Sequence, residues 1–159
     1  MGDENLKRMI ALADEFFDMK NDPDQLSVNP EIMAKLRASH PATMSEESDE
    51  NGPIAWMLVF PTTQELMEAF TSGAINEKEL LQKTVPGGRY DAIYLCSALV
   101  LPEHRGAGLA RRLAMHAIQS IRDDHPVRAL FYWGFSSEGD ALAASIARES
   151  GLPLFARKL

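Results

Sequence analysis

Apolar positions along this chain follow first a helical period and then, in its second half, alternating strand-like and helix-like runs. Leu6, Met9, Ile10, Ala13, Phe16 and Phe17 recur at helical spacing with Lys7, Arg8, Asp14 and Glu15 opposite, which predicts an amphipathic helix that packs on a sheet. Asp3 is its expected N-cap and Asn21-Asp22-Pro23 its end. A shorter helix follows, capped by Asn29, with Pro30 in its first position and Ile32, Met33 and Leu36 on its apolar side. From Ser39 to Gly52 the chain turns polar, with Pro41 and the run Glu46-Glu47-Ser48-Asp49-Glu50, and reads as a mobile surface loop. Ile54 to Phe60 is apolar throughout, as expected of a strand central in its sheet. Thr62 and Glu65 fit a capping box that opens a helix carrying Leu66, Met67 and Phe70, closed by Gly73. Asn76 and Glu79 repeat that logic before Leu80 and Leu81, and Pro86-Gly87-Gly88 breaks the chain.

The second half is more regular. Tyr90 to Leu101 predicts a long strand, stopped by Pro102, which has no N–H to give. Arg105-Gly106-Ala107-Gly108 forms a small-residue loop, and Leu109, Leu113, Ala117 and Ile121 carry a helix to about Arg122. Val127 to Phe135 is an aromatic-rich strand, and Ser136 or Ser137 caps a helix with Leu142, Ala143, Ile146 and Ala147 inside. Gly151 ends it, and Leu154 to Leu159 is a last short strand. Strand–helix–strand–helix–strand order implies parallel pairing with right-handed crossovers.

The loop between the long strand and its helix carries the candidate chemistry. A glycine-bearing turn that opens a helix leaves main-chain N–H groups converging on one point, where the positive end of the helix dipole favours an anion. A side chain at Gly106 or Gly108 would keep a phosphate from the backbone. No Gly-Lys-Ser/Thr follows, so this is not a P-loop, and it is not the dinucleotide fingerprint. A turn that merely permits close helix–strand packing is the structural alternative.

The order Arg-x-x-Gly-x-Ala over Arg105 to Ala110 resembles the Arg/Gln-x-x-Gly-x-Gly/Ala signature of the GNAT acetyltransferase superfamily, and with its flanking elements the resemblance spans residues 88–155. It implies one α/β domain over residues 1–159, an acyl-CoA N-acyltransferase-like fold with a mixed central sheet flanked by helices. It implies acetyl-CoA as co-substrate, with the pyrophosphate on Arg105, Gly106, Ala107, Gly108, Leu109 and Ala110, and a primary amine as acceptor. The strands Tyr90–Leu101 and Val127–Phe135 would splay apart, and main-chain groups near Leu99, Val100 and Leu101 would hold the pantetheine arm and polarise the thioester. Arg111 and Arg112 are candidates for the 3′-phosphate.

Three features depart from that pattern. The first half is helical and carries one strand where the family has a hairpin, and one strand rather than two ends the chain, so the acceptor side is remodelled, shortened or completed by a second copy in a homodimer. The Asn and Tyr that many members carry in the helix after the second strand fall on Asp140 and Ala147, so the usual phenol donor is missing. Ser136 or Ser137 is the substitute acid and Asp91 the candidate base, although a helix cap and a strand end need no catalytic role. A non-catalytic CoA-binding or interaction module with the same fold is therefore the alternative function.

Composition narrows the class. The 159 residues are 45% hydrophobic and 25% charged, with no apolar run near the length of a membrane span and no signal-peptide pattern at MGDENLKR. The single cysteine, Cys96, forbids an intrachain disulfide and points to a reducing, cytoplasmic setting; it reads as a small core residue. Residues 1–52 hold 12 acidic against 5 basic side chains and residues 53–159 hold 11 against 11, so the whole formal charge of −7 lies in the first third. That acidity suits a solvated face or a cationic acceptor, and the absence of a basic patch argues against nucleic acid. Four scattered histidines, His104 among them, form no metal-ligand pattern.

Overall fold

A computed structural model describes residues 4–20, 30–134 and 136–157, without the side chains of Asp14 and of residues 16–20. The expected caps Asp3 and Asn29, the stop at Asn21-Asp22-Pro23, the side chains of Phe16 and Phe17, and Phe135 lie outside the described residues. In order, the elements are α1 (Glu4–Lys20), α2 (Pro30–Ser39), β1 (Met44–Asp49), β2 (Gly52–Thr62), α3 (Gln64–Thr71), α4 (Glu77–Lys83), β3 (Ala92–Val100), α5 (Leu109–Asp124), β4 (Ala129–Trp133), α6 (Ser137–Ser150) and β5 (Leu154–Arg157).

The five strands form one mixed sheet in sequence order, antiparallel from β1 to β3 and parallel from β3 to β5. β2 is flanked on both sides, as its unbroken apolar run requires. The expected surface loop at 39–52 is corrected: a short 3-10 turn at Pro41–Thr43 leads into β1, which makes a hairpin with β2. β1 escapes a hydropathy reading because it is an edge strand with four exposed residues, Glu46 to Asp49, whose charges guard its free edge. The hairpin signal was Asn51-Gly52, with Gly52 at φ 113°.

Caps follow local chemistry closely. Asn76 and Glu79 close both halves of a capping box on α4, and the Ser136 hydroxyl accepts from the Gly139 N–H at the start of α6. The cap of α3 is Thr63 rather than Thr62: its hydroxyl accepts from the Leu66 N–H, while Thr62 is buried in β2 against the Thr84 hydroxyl.

Each sheet face has its own core. On one, Phe60, Phe70, Tyr94, Phe131 and Trp133 pack under α3 and α4, and the Phe70 ring meets Tyr94, Phe131 and Trp133 edge-on at 5.1, 5.9 and 6.0 Å. The Arg157 guanidinium at the end of β5 sits 4.7 Å from both the Phe70 and Trp133 ring centres and donates to the Ile75 carbonyl, which ties the last strand to the loop between α3 and α4. On the other face, α5 and α6 bury Ala114, Ala117, Ile118, Ile121, Ile146 and Ala147 against Val59, Ile93 and Leu130. The α1 stripe packs only in part: Met9 is fully buried against Ile54, Ala55, Leu101 and Leu109, whereas Leu6 and Ile10 are exposed. Among the described residues no helix is long and apolar enough to cross a membrane.

Candidate active site

The site is built where β3 loses a neighbour. Parallel pairing joins Ala92–Leu95 to Ala129–Tyr132 and stops there, while β3 runs on along β2 to Val100. The divergence coincides with a β-bulge: Leu58 opposes Ser97 but Val59 opposes Leu95, so Cys96 is the additional residue in β3. A bulge bends its strand and increases local twist, which turns the end of β3 away from β4. From Leu95 to Val100 every residue is half-buried, in contrast to the fully buried Ala92, Ile93 and Tyr94.

The open edge has a definite polarity. The Leu101 N–H donates to the Ile54 carbonyl at 2.9 Å, so Leu101 faces β2. Alternation in an antiparallel ladder puts Leu99 on the same side and turns the main-chain groups of Val100 and Ala98 toward the gap left by β4. Of the three main-chain positions named from sequence, Val100 therefore faces the gap, with Ala98 beside it, while Leu99 and Leu101 face β2.

Past Pro102 a short turn leads to the glycine loop. Gly106 and Gly108 adopt φ of 85° and 77°, the left-handed region in which other residues are strained. An added Cβ at Gly106 would meet nothing within 4 Å, and one at Gly108 would meet only the Arg111 guanidinium at 3.4 Å, so both glycines border open space. Gly108 is the N-cap of α5 and has no side chain to satisfy the first N–H groups of the helix. This loop, Ala98 to Val100 and the Leu12 and Glu15 side of α1 enclose a cleft of about 670 Å³ that also touches Ala110, Arg111 and Leu142. A second cleft of about 240 Å³ enters the gap between β3 and β4, lined by Cys96, Ser97, Tyr132, Trp133 and Ser136; Ala98, Glu138 and Leu142 border both.

Polar groups around the clefts are largely tethered. Arg105 donates from Nε to the Val100 carbonyl at 3.0 Å, and Arg111 lies 3.4 Å from Glu149. Arg8 of α1 grips Glu103 with two bonds of 2.6 Å, and that guanidinium holds the carboxyl down at about 2. His104 approaches Asp49 of the hairpin at 3.7 Å. Tyr132 donates its phenol hydrogen to Asp140 at 2.7 Å; burial, then that bond, push its pKa up to about 12. Beneath the bulge the fully buried Glu77 accepts from the Tyr94 hydroxyl and lies 3.9 Å from the Cys96 sulfur. Burial, with Glu77 next, raises the Tyr94 pKa well above its ordinary value.

The structure brings together most, not all, of the residues singled out from sequence. Leu99, Val100, Arg105, Gly106, Gly108, Leu109 and Ala110 border the large cleft, and Ser136 lines the small one. Asp91 is not brought there: it precedes β3 at the end remote from the cleft, and Gln64 donates to both its oxygens, from the main chain at 2.7 Å and the side chain at 3.1 Å. Its carboxylate orients the first turn of α3. Ala147 is packed in the core between α5 and α6, so a phenol there would have to displace buried side chains. Two groups escaped the sequence reading. Tyr132 sits in an aromatic run that looks like core, and only the face alternation of β4 separates it from Phe131 and Trp133. Glu77 occupies the first turn of a short helix, where an acidic residue is ordinarily solvated. Among the described residues no group of three or more ligating side chains could hold a metal.

Residues 11–144 match the sequence pattern of the Acetyltransferase (GNAT) family. The chain belongs to that family. Comparison with curated proteins finds no match. Among solved structures, this GNAT chain is similar to Chaetomium thermophilum Naa20 in complex with a bisubstrate analogue, at 15% identity and a TM-score of 0.51 over 92% of this chain and 65% of that one. It thus spans about 65% of that protein's length. An aminoglycoside acetyltransferase from an uncultured soil metagenomic sample, solved with trehalose and with sisomicin, is similar at 13% and 15% identity. Both matches have a TM-score of 0.47, over 94% and 92% of this chain and 83% and 78% of the other. At 15% identity the likeness to the Naa20 structure speaks for the fold alone.

Proposed function

We propose that this GNAT protein transfers an acetyl group from acetyl-CoA to a primary amine. One observation carries the reading: the glycine loop that opens α5 and the end of β3 that has lost β4 border the same cleft, so a helix N-terminus without a side-chain cap and an open strand edge lie end to end. That sequence of features suits a ligand that is a diphosphate at one end and an amide-bearing arm at the other. The loop from Arg105 to Ala110 would take the diphosphate on main-chain N–H groups, and Val100 with Ala98 would bind the arm, which leads the thioester into the gap beside Cys96, Tyr132 and Ser136.

In the reaction the amine nitrogen forms a bond to the thioester carbonyl carbon, the C–S bond breaks, the amine loses a proton and the thiolate gains one. A lysine-type amine has a pKa of about 10.4, so it must be deprotonated to attack, and the developing oxyanion needs a fixed donor. Three hydroxyls line the gap, those of Ser97, Ser136 and Tyr132. Ser136 already accepts the Gly139 N–H and keeps its own hydrogen to donate to the departing sulfur. Tyr132 on the opposite strand stays protonated across the neutral range, and since its one hydrogen is given to Asp140, its oxygen is left to accept from the amine N–H.

The second reading is a coenzyme-binding module without turnover, favoured by the apolar, buried Ala147 and by the distance of Asp91 from the cleft. Calorimetry with acetyl-CoA and a thiol-release assay across a panel of amines separate the two. Binding with amine-dependent release supports the enzyme. Binding without release on any amine supports the module, and no binding overturns both.

A further inference from the structure

Resting on the coenzyme reading above, we propose that Arg105 determines specificity by withholding the open edge of β3 from thioesters that lack a diphosphate. The geometry has three parts. β4 leaves β3 after Leu95, so the Val100 carbonyl is directed into the gap rather than into the sheet. The Arg105 Nε–H caps that carbonyl at 3.0 Å, which lays an exposed guanidinium across the strand edge. Arg105 itself opens the glycine loop, and it borders the same cleft as Val100.

An arm that donates an amide hydrogen to Val100 must first move this guanidinium. A diphosphate on the loop supplies the means. A bond from guanidinium to phosphate joins two full opposite charges and suits the forked head of arginine, whereas the Val100 carbonyl is a single neutral acceptor, so the diphosphate is the stronger partner. Diphosphate binding therefore draws Arg105 off Val100 and opens the edge to the arm. A thioester on pantetheine alone, or behind a single blocked phosphate, brings no such partner and meets the edge closed. Linkage makes the effect reciprocal: an arm already on Val100 also improves the diphosphate site. The coupling expected is that of one solvent-exposed hydrogen bond given up, roughly threefold to tenfold in affinity.

The test uses the two halves of the ligand as separate probes: ADP for the diphosphate and S-acetylpantetheine for the arm. In the wild-type protein saturating ADP is expected to tighten S-acetylpantetheine binding about threefold to tenfold by calorimetry. ADP alone should shift the Arg105 Nε–H and Val100 carbonyl signals in isotope-labelled protein, a readout that does not depend on the arm's own affinity. In Arg105→Ala the arm alone should bind more tightly than to wild type, ADP should no longer help, and whole acetyl-CoA should bind more weakly. Acetyl-CoA binding together with ADP that leaves both signals unmoved, or with no coupling between the halves, overturns the proposal and spares the coenzyme reading. Failure of both ADP and acetyl-CoA to bind removes that reading itself. If Arg105→Ala does not fold, the wild-type spectra decide.

Discussion

The two halves of β3 share a strand but not a fate. From Ala92 to Leu95 the backbone is bonded on both sides, and Ala92, Ile93 and Tyr94 are buried, with Tyr94 facing the Phe70 and Phe131 rings. From Cys96 to Val100 the same strand keeps β2 but not β4, and its residues are half-exposed beside two clefts. One extra residue, Cys96, separates the regimes. The difference teaches that an open edge need not be added to a sheet; it is obtained where pairing ends early beside a bulge, with the buried half holding the strand in place.

The comparison is broken most forcibly at the buried end. Phe70→Ala removes a fully buried ring that meets three other aromatic side chains, and a loss of about 3–5 kcal/mol in denaturant melts is expected. Coenzyme binding by the molecules that stay folded should change little. At the open end the balance reverses. Gly108→Val puts a branched side chain at φ 77° on a residue that lines the cleft, and should weaken acetyl-CoA by about a hundredfold, or roughly 2.7 kcal/mol. Its control is Gly151→Val at the end of α6, where φ is 73° and an added Cβ also meets open space. Both variants carry a strain of about 1–3 kcal/mol, and only the first should lose the ligand.

A smaller effect sharpens the role of the inserted helix pair α3 and α4. Asn76→Ala removes one half of the α4 capping box and should cost about 1 kcal/mol in melts. Since α4 carries Glu77, which holds Tyr94 and approaches Cys96, the same variant should loosen the bulge: amide exchange at Ser97 and Leu99 should quicken, while exchange at Leu130 and Phe131 stays slow. Equal protection at Ser97 in both proteins would separate the helix pair from the bulge.

Legibility in the sequence followed how local each determinant is. The glycine loop, the order of β3, α5, β4 and α6, and the caps at Asn76 and Ser136 rest on neighbouring residues, and all of these elements were readable. β1 was not, since its exposed acidic residues are held extended by β2, an influence no local pattern carries; even so, Asn51-Gly52 announced the hairpin. The bulge at Cys96 is set by register between two strands, and a shift of one residue leaves no mark on hydropathy. Asp91 misled for the complementary reason. A carboxylate at a strand end has the right chemistry for a base, but the fold turns that end toward Gln64 and away from the cleft.

The smallest expected effect concerns the strap across the open end. Arg8 of α1 and Glu103, just before the glycine loop, make two short bonds although both side chains are about half exposed. The guanidinium holds the Glu103 carboxyl at about 2, below its ordinary 4.5, so the folded protein favours the ionised form more than the unfolded chain does. The resulting stabilisation is present above pH 4.5 and is lost as the pH falls toward 2. Glu103→Gln should therefore be slightly less stable than wild type at neutral pH, with the gap closing through that acid window and narrowing in high salt, because surface pairs are screened. Paired melts from pH 7 downward measure it. A gap that stays constant across the window would assign the cost to packing rather than charge, and would leave α1 resting on the loop through Met9, Leu101 and Leu109 alone.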